Sequence, residues 1–230
     1  MDTFRESPSL VLAVIGVGAW LGVILLIAEG LNRWKSVNAE VSRKIVHIGT
    51  GNVILLAWAL QIPAWIGIAA GTISGIVALI SYQVPILPSV NGVGRRSLGT
   101  FFYAVSIGVL VGWFWSVNHP EYAALGILVM AWGDGLAAVI GQRFGKHGYQ
   151  IGGIHKSWEG SLTMLFVSFV VCILILVVVQ GIVWQTWAVS GIVAMVAMGL
   201  EMFSKFGVDN LTVPIGSAAL AFFLNSYYWG

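Results

Sequence analysis

Residues Met130-Ala131-Trp132-Gly133-Asp134-Gly135-Leu136-Ala137-Ala138 set one acid, Asp134, inside an apolar run that extends over 121–141. A run of about 20 mostly apolar residues is long enough to cross a bilayer as a helix. A charge at the bilayer centre costs about 2.5–3.5 kcal/mol on insertion scales, so such a residue normally faces a bundle interior and marks a functional site. Asp134 decides the reading in two ways: its surroundings call for a membrane protein, and its charge calls for a partner.

The rest of the chain agrees with a membrane span at 121–141. Of 230 residues, 58% are hydrophobic and 9% charged, a balance that excludes an ordinary soluble domain. The expected fold is all-α: a polytopic integral membrane helical bundle forming one domain over 1–230. Spans are expected near 9–31, 46–60, 62–82, 98–115, 121–141, 160–180, 183–202 and 211–228, eight in all, with seven as the alternative count. The first apolar run is too long for a cleaved leader and reads as a span. Cys172 is the single cysteine, so no disulfide forms within the chain.

Charge placement orients the bundle. Arg33, Lys35, Arg43, Lys44, Arg95, Arg96, Arg143, Lys146, Lys156 and Lys205 fall in alternate connections, and only Arg5 falls on the other side. The positive-inside rule makes the cation-rich side cytoplasmic and puts both termini opposite. Most tryptophans lie near span ends, as interfacial anchors do. Gly67, Gly71 and Gly75, with the pairs Gly18/Gly22 and Gly108/Gly112, recur at the four-residue spacing that lets helices approach closely.

Carboxylates gather on the same side: Glu29, Asp134, Glu159, Glu201 and Asp209 lie at or near the cytoplasmic ends of spans. Asp134 lies about seven residues inside that edge, or about 10 Å deep. No cation stands within a helical turn of it. It is either a ligand for a metal bridging to phosphate or half of an ion pair with a distant cation. Gly133 and Gly135 allow close approach to it. Arg43 and His47 share a helix face at i and i+4. They offer an edge toward phosphate, with His47 as general base or as a structural donor. Glu201 and Lys205, also at i and i+4, suit either an ion pair or a site.

The connection from Gly141 to Gly160 is rich in glycine, Lys, Arg and His, which favours anions. Its Lys156-Ser157 ends like a phosphate-binding loop, but His155 stands where that motif requires glycine, so a soluble nucleotide-binding fold is excluded. Asp209, Asn210 and Thr212 offer oxygen ligands before the last span, or an Asx cap.

Four segments occur in order: Arg43-Lys44-Ile45-Val46-His47, Gly133-Asp134-Gly135-Leu136-Ala137-Ala138-Val139-Ile140-Gly141, Lys156-Ser157-Trp158-Glu159-Gly160, and Glu201-Met202-Phe203 with Gly207-Val208-Asp209-Asn210-Leu211-Thr212-Val213-Pro214. Together they resemble the phytol kinases and the related polyprenol and dolichol kinases, from about residue 40 to the end. The Gly-Asp pair and the third segment are also similar to those of phosphatidate cytidylyltransferases.

The resemblance implies CTP-dependent phosphorylation of a long-chain isoprenoid alcohol. On the phytol branch the product is phytyl phosphate, in salvage toward tocopherol. It implies Asp134, Lys156, Glu159, Asp209 and Asn210 as site residues. Asp134 and Asp209 would hold Mg²⁺ or Mn²⁺. Lys156, with Arg43 or Lys44, would meet phosphate, and Asn210 would bind the nucleotide. Glu159 would orient Lys156 or take the alcohol proton. The expected partners are a prenyl alcohol (phytol, geranylgeraniol or similar), a nucleoside triphosphate and membrane lipids, with no nucleic acid.

Two rivals are weighed. A cytidylyltransferase making a CDP-lipid shares the donor and the metal, but the small chain and the Asp209–Pro214 segment favour the kinase. A transporter with Asp134 as proton relay needs polar residues through the bilayer, and here they collect on one side.

Overall fold

The computed structural model describes residues 9–33, 39–82 and 98–229. Arg5, Lys35, Arg95 and Arg96 lie outside them, so the topological reading of those cations is not addressed by the fold. The chain is a helical bundle with one small hairpin. In order it forms α1 (Leu10–Arg33), α2 (Ala39–Gly51), α3 (Val53–Ala59), α4 (Ala64–Ser81), α5 (Gly99–Ser116) and α6 (Pro120–Leu128). A π-helical turn (Val129–Asp134) leads into α7 (Gly135–Phe144). Then come β1 (Gly148–Ile151), β2 (Ile154–Ser157), α8 (Trp158–Gln180), α9 (Trp184–Met202) and α10 (Asp209–Trp229).

Among the described residues, six helical stretches are long and apolar enough to cross a membrane: 10–31, 64–81, 99–116, 120–144, 158–180 and 184–202. They coincide with six of the eight expected spans. The second expected span is built from two pieces. α2 and α3 continue each other across Asn52, whose backbone stays helical (φ −67°, ψ −14°). The eighth is α10, 21 residues long, continuous through Pro214 and carrying buried Ser217 and Asn225.

Breaks fall where the backbone chemistry requires them. Gln61 (φ 52°) and Pro63 turn the chain from α3 into α4, and Trp115 Nε1 donates to the Ile62 carbonyl at 3.0 Å to hold that corner. Asn118 (φ 57°) closes α5, and Pro120 opens α6 at a position that lacks a helical N–H partner anyway. Gly181 (φ 81°) ends α8.

The stretch from α6 to α7 is the hub. In it, 72% of the apolar window is buried within the protein, against 6% for α1. Leu125, Ile127, Val129, Met130 and Ala131 are buried. Glycines let neighbours close in. A Cβ on Gly126 would meet the Pro214 carbonyl oxygen of α10 at 2.3 Å, and one on Gly133 would meet Met164 Sδ of α8 at 2.6 Å. One on Gly135 would meet Ile48 of α2 at 2.7 Å.

The four-residue glycine spacing divides into two kinds. Gly67 and Gly71 seat α5, the latter with the Ala104 carbonyl 2.9 Å from where a Cβ would sit. Gly18 and Gly22 have nothing within 4 Å of theirs; a Cβ on Gly108 would also point into open space, although its backbone lies against Gly71, whose own Cβ would be 3.0 Å from the Gly108 nitrogen.

The Gly141–Gly160 connection, expected as a loop, folds into an antiparallel hairpin pairing Gly148 with Ser157 and Ile151 with Ile154. Gly152 (φ 53°) and Gly153 (φ 81°) make its two-residue turn, with both residues in the conformation that a tight hairpin demands.

Candidate active site

The site sits at the ends of the helices that the charge map assigns to the cation-rich side. α2 carries Glu40 and, one turn on, the adjacent Arg43 and Lys44. Arg43 grips Glu40 with two hydrogen bonds, Nε to Oε2 at 3.0 Å and Nη2 to Oε1 at 2.5 Å. Burial pushes the Glu40 carboxyl up, but the Arg43 hydrogen bonds and charge outweigh it and hold the group below its ordinary value.

Lys44 is buried and donates to Asp134 Oδ2 from 90 residues away in sequence. The distant cation allowed for in the sequence is therefore present. The π-helical turn sets this meeting: its wider winding ends at Asp134, and such turns are often found at functional sites. His47 lies behind the pair. Its Nε2 is 3.8 Å from Asp134 Oδ2, and its ring packs 4.3 Å from that of Tyr103.

The hairpin and α8 deliver the second cation. Ser157 caps α8, accepting from the Gly160 N–H at 3.2 Å. α7 and α8 approach so closely that a Cβ on Gly141 would be 3.4 Å from the Gly160 Cα. This closeness carries Lys156 inward, where its ammonium donates to Glu201 Oε1 at 2.5 Å and to the Glu201 backbone carbonyl. Glu201 thus pairs with Lys156, not with Lys205 one turn on.

Glu159 turns the other way, accepting from the His147 N–H at 3.2 Å and meeting His147 Nδ1 at 2.7 Å. It tethers the hairpin to α8. At the start of α10, Asp209 Oδ1 accepts from the Asn210 N–H and from Asn210 Nδ2, each at 3.0 Å.

One cavity of about 960 Å³ joins these groups, at the upper end of the range for small-molecule sites. Arg43, Lys44, Asp134, Lys156, Asp209 and Asn210, all singled out in the sequence, line it. His47 and Glu159 do not: the first stands behind Asp134, and the second faces His147.

The cavity is also lined by Glu201 and Lys205, which the sequence left between an ion pair and a site, and by Glu40 and Ser204, to which it gave no site role. Glu40 was signalled by its i, i+3 spacing to Arg43. Lys205 approaches the hairpin turn, where a Cβ on Gly152 would be 3.6 Å from its Nζ. Among the described residues, no group of three His, Cys, Asp or Glu is placed to enclose a metal by itself.

No protein-family profile matches the chain, and no solved structure matches it. Curated relatives do. A phytol kinase of Synechocystis sp. is 54% identical over 100% of this chain and 99% of its own length. Phytol kinase 1, chloroplastic, of Arabidopsis thaliana is 27% identical over 94% of this chain and 75% of its own. A probable phytol kinase 1, chloroplastic, of Oryza sativa subsp. japonica is 25% identical over 86% and 69%. With more than half of its residues shared from end to end with the first of these, this chain belongs to the phytol kinase family.

Proposed function

We propose that this chain transfers the terminal phosphoryl group of CTP to the hydroxyl of phytol, giving phytyl phosphate, at the cytoplasmic membrane face. One observation carries the reading. In a chain 54% identical along its length to a protein named phytol kinase, Lys44–Asp134, Lys156–Glu201 and Asp209–Asn210 converge on a single polar cavity at one end of an apolar bundle. A prenyl alcohol dissolves in the bilayer with its hydroxyl near headgroup level, and a nucleotide arrives from water. The two meet only where polar groups reach the interface.

Phosphoryl transfer needs positioning and charge stabilisation more than covalent chemistry. Lys156 is held on the cavity wall by two contacts to Glu201, so its ammonium is fixed in direction before phosphate arrives. Arg43 and Lys44 add positive charge from α2. Asn210, ordered by Asp209, lines the cavity beside them.

The acidic and cationic side chains lining the cavity are equal in number, so a bound triphosphate brings uncompensated negative charge. Asp134 and Asp209 are the groups that would hold a divalent cation shared with the phosphates, as Mg²⁺ is usually held. When bound, that ion neutralises charge on the transferred group. Lys44 would then leave Asp134 for phosphate. His47 lies behind Asp134, with Nε2 3.8 Å from its Oδ2 and outside the cavity lining, so the alcohol proton is taken by another group.

Purified protein supplied with phytol and labelled CTP tests the reaction. Label from the γ-position in a lipid phosphate, with CDP released, is the expected product. Label from the α-position in the lipid would instead mean cytidylyl transfer, and a lipid phosphate formed only from another nucleotide would overturn the choice of CTP.

A further inference from the structure

We infer that Glu201 and Ser204 form the seat of the substrate hydroxyl, with Glu201 Oε2 taking the alcohol proton and Ser204 Oγ donating a hydrogen bond to the alcohol oxygen. This rests on the phosphoryl-transfer reading above. Both residues line the cavity. They lie three apart where α9 ends, and the Ser204 N–H donates to the Glu201 carbonyl at 3.2 Å, which ties them into one turn.

Both side chains present a buried polar atom without a partner: Glu201 Oε2 and Ser204 Oγ. Buried polar atoms are nearly always hydrogen-bonded, so two orphans on one turn at a cavity wall call for a ligand. Their chemistry says which kind. A carboxylate oxygen accepts, and a serine hydroxyl donates or accepts. Between them they match a group with one proton to give and one lone pair to receive it, which is an alcohol.

The other carboxylates of the cavity have roles of their own: Glu40 holds Arg43 through both oxygens, and Asp134 and Asp209, which meet Lys44 and Asn210, are the groups assigned above to the divalent cation. Glu159, an attractive base from its place beside Lys156, is turned to His147. Among the described residues Glu201 Oε2 is the only carboxylate oxygen that is buried and unpartnered. It also stands on the same carboxylate as the Lys156 contact, so proton acceptor and phosphate-stabilising cation are two atoms apart by construction. In the step, the alcohol oxygen bonds to the γ-phosphorus as the bond from that phosphorus to the β-bridging oxygen breaks. CDP departs with those electrons, and the alcohol proton passes to Glu201 Oε2 and then to water.

Glu201→Gln keeps an oxygen for Lys156 and loses the ability to take a proton. Its turnover should fall about 10²- to 10⁴-fold, the usual contribution of a positioned base, with KM for CTP close to that of the unaltered protein. Ser204→Ala should raise KM for phytol about tenfold, equivalent to about 1.4 kcal/mol, and leave KM for CTP unchanged.

Three results would overturn the inference: Glu201→Gln turning over normally; Glu201→Gln losing CTP binding while keeping turnover at saturation, which makes Glu201 only a support for Lys156; or Ser204→Ala altering only the discrimination between CTP and 2′-deoxy-CTP, which moves the seat to the ribose. If Glu201→Gln does not fold, Ser204→Ala decides alone, and an unchanged KM for phytol refutes the proposal. An unaltered protein that phosphorylates no alcohol from any nucleotide would instead defeat the functional reading itself.

Discussion

At the scale of single residues, the site is organised by ion pairs between distant parts of the chain. Lys44 and Asp134 are both buried, so removing either leaves a charge without its counter-charge. Lys44→Met or Asp134→Asn alone should cost about 3–5 kcal/mol, whereas Lys44→Met combined with Asp134→Leu should recover most of that stability, because a buried pair replaced by apolar groups is often neutral. Thermal melts of the three variants in detergent check this; equal destabilisation of the double variant would refute it. Lys156 and Glu159 separate in the same way: Lys156→Met should lower turnover about 10²- to 10³-fold, as loss of a charge-stabilising group does. Glu159→Gln, acting outside the cavity, should keep most of the activity, as a kinase assay on both would tell. Each of these residues stood out in the sequence as an unusual charge. Their partnerships did not, because 90 residues separate Lys44 from Asp134 and 45 separate Lys156 from Glu201. Adjacency misled at Glu159, where the change from β2 to α8 sends two near neighbours in different directions.

At the scale of elements, apolar length and charge alternation were enough to place the long helices, since burying backbone in lipid leaves helices as the main option. Two features were hidden. Apart from Asp134 the π-helical turn is as apolar as its flanks, so nothing in the pattern announces its winding. The hairpin had a signal, Gly152-Gly153 between Ile151 and Ile154, which in a polar connection between spans was outweighed by the expectation of a loop. Glycine spacing was informative only where a neighbour uses it. Gly133→Ala should destabilise by about 1–3 kcal/mol, because its methyl must displace Met164 and Ser168. Gly108→Ala has open space and should be neutral or stabilising by up to about 1 kcal/mol, since alanine is the better helix former. Melting temperatures that rank the two the other way would contradict this packing.

At the scale of the whole molecule, the bundle is asymmetric. One end carries the cavity; the other carries isolated polar pairs such as His119 with Glu121, two residues apart, and Asn225 with Tyr122, which joins α10 to α6. The positive-inside pattern predicts that a cysteine at Lys205, in a Cys172→Ser background, reacts with an impermeant thiol reagent only from the cytoplasmic side, and one at Asn118 only from the opposite side. Reversed labelling would invert the proposed face. The central claim is that the cavity around Asp134 transfers phosphate to phytol, and it is tested most directly in vesicles containing phytol, with γ-labelled CTP supplied in the medium. The unaltered protein should form labelled phytyl phosphate, and the stable Lys44→Met/Asp134→Leu variant should form none. Full transfer by that double variant, or no labelled lipid phosphate from the unaltered protein, would contradict the account.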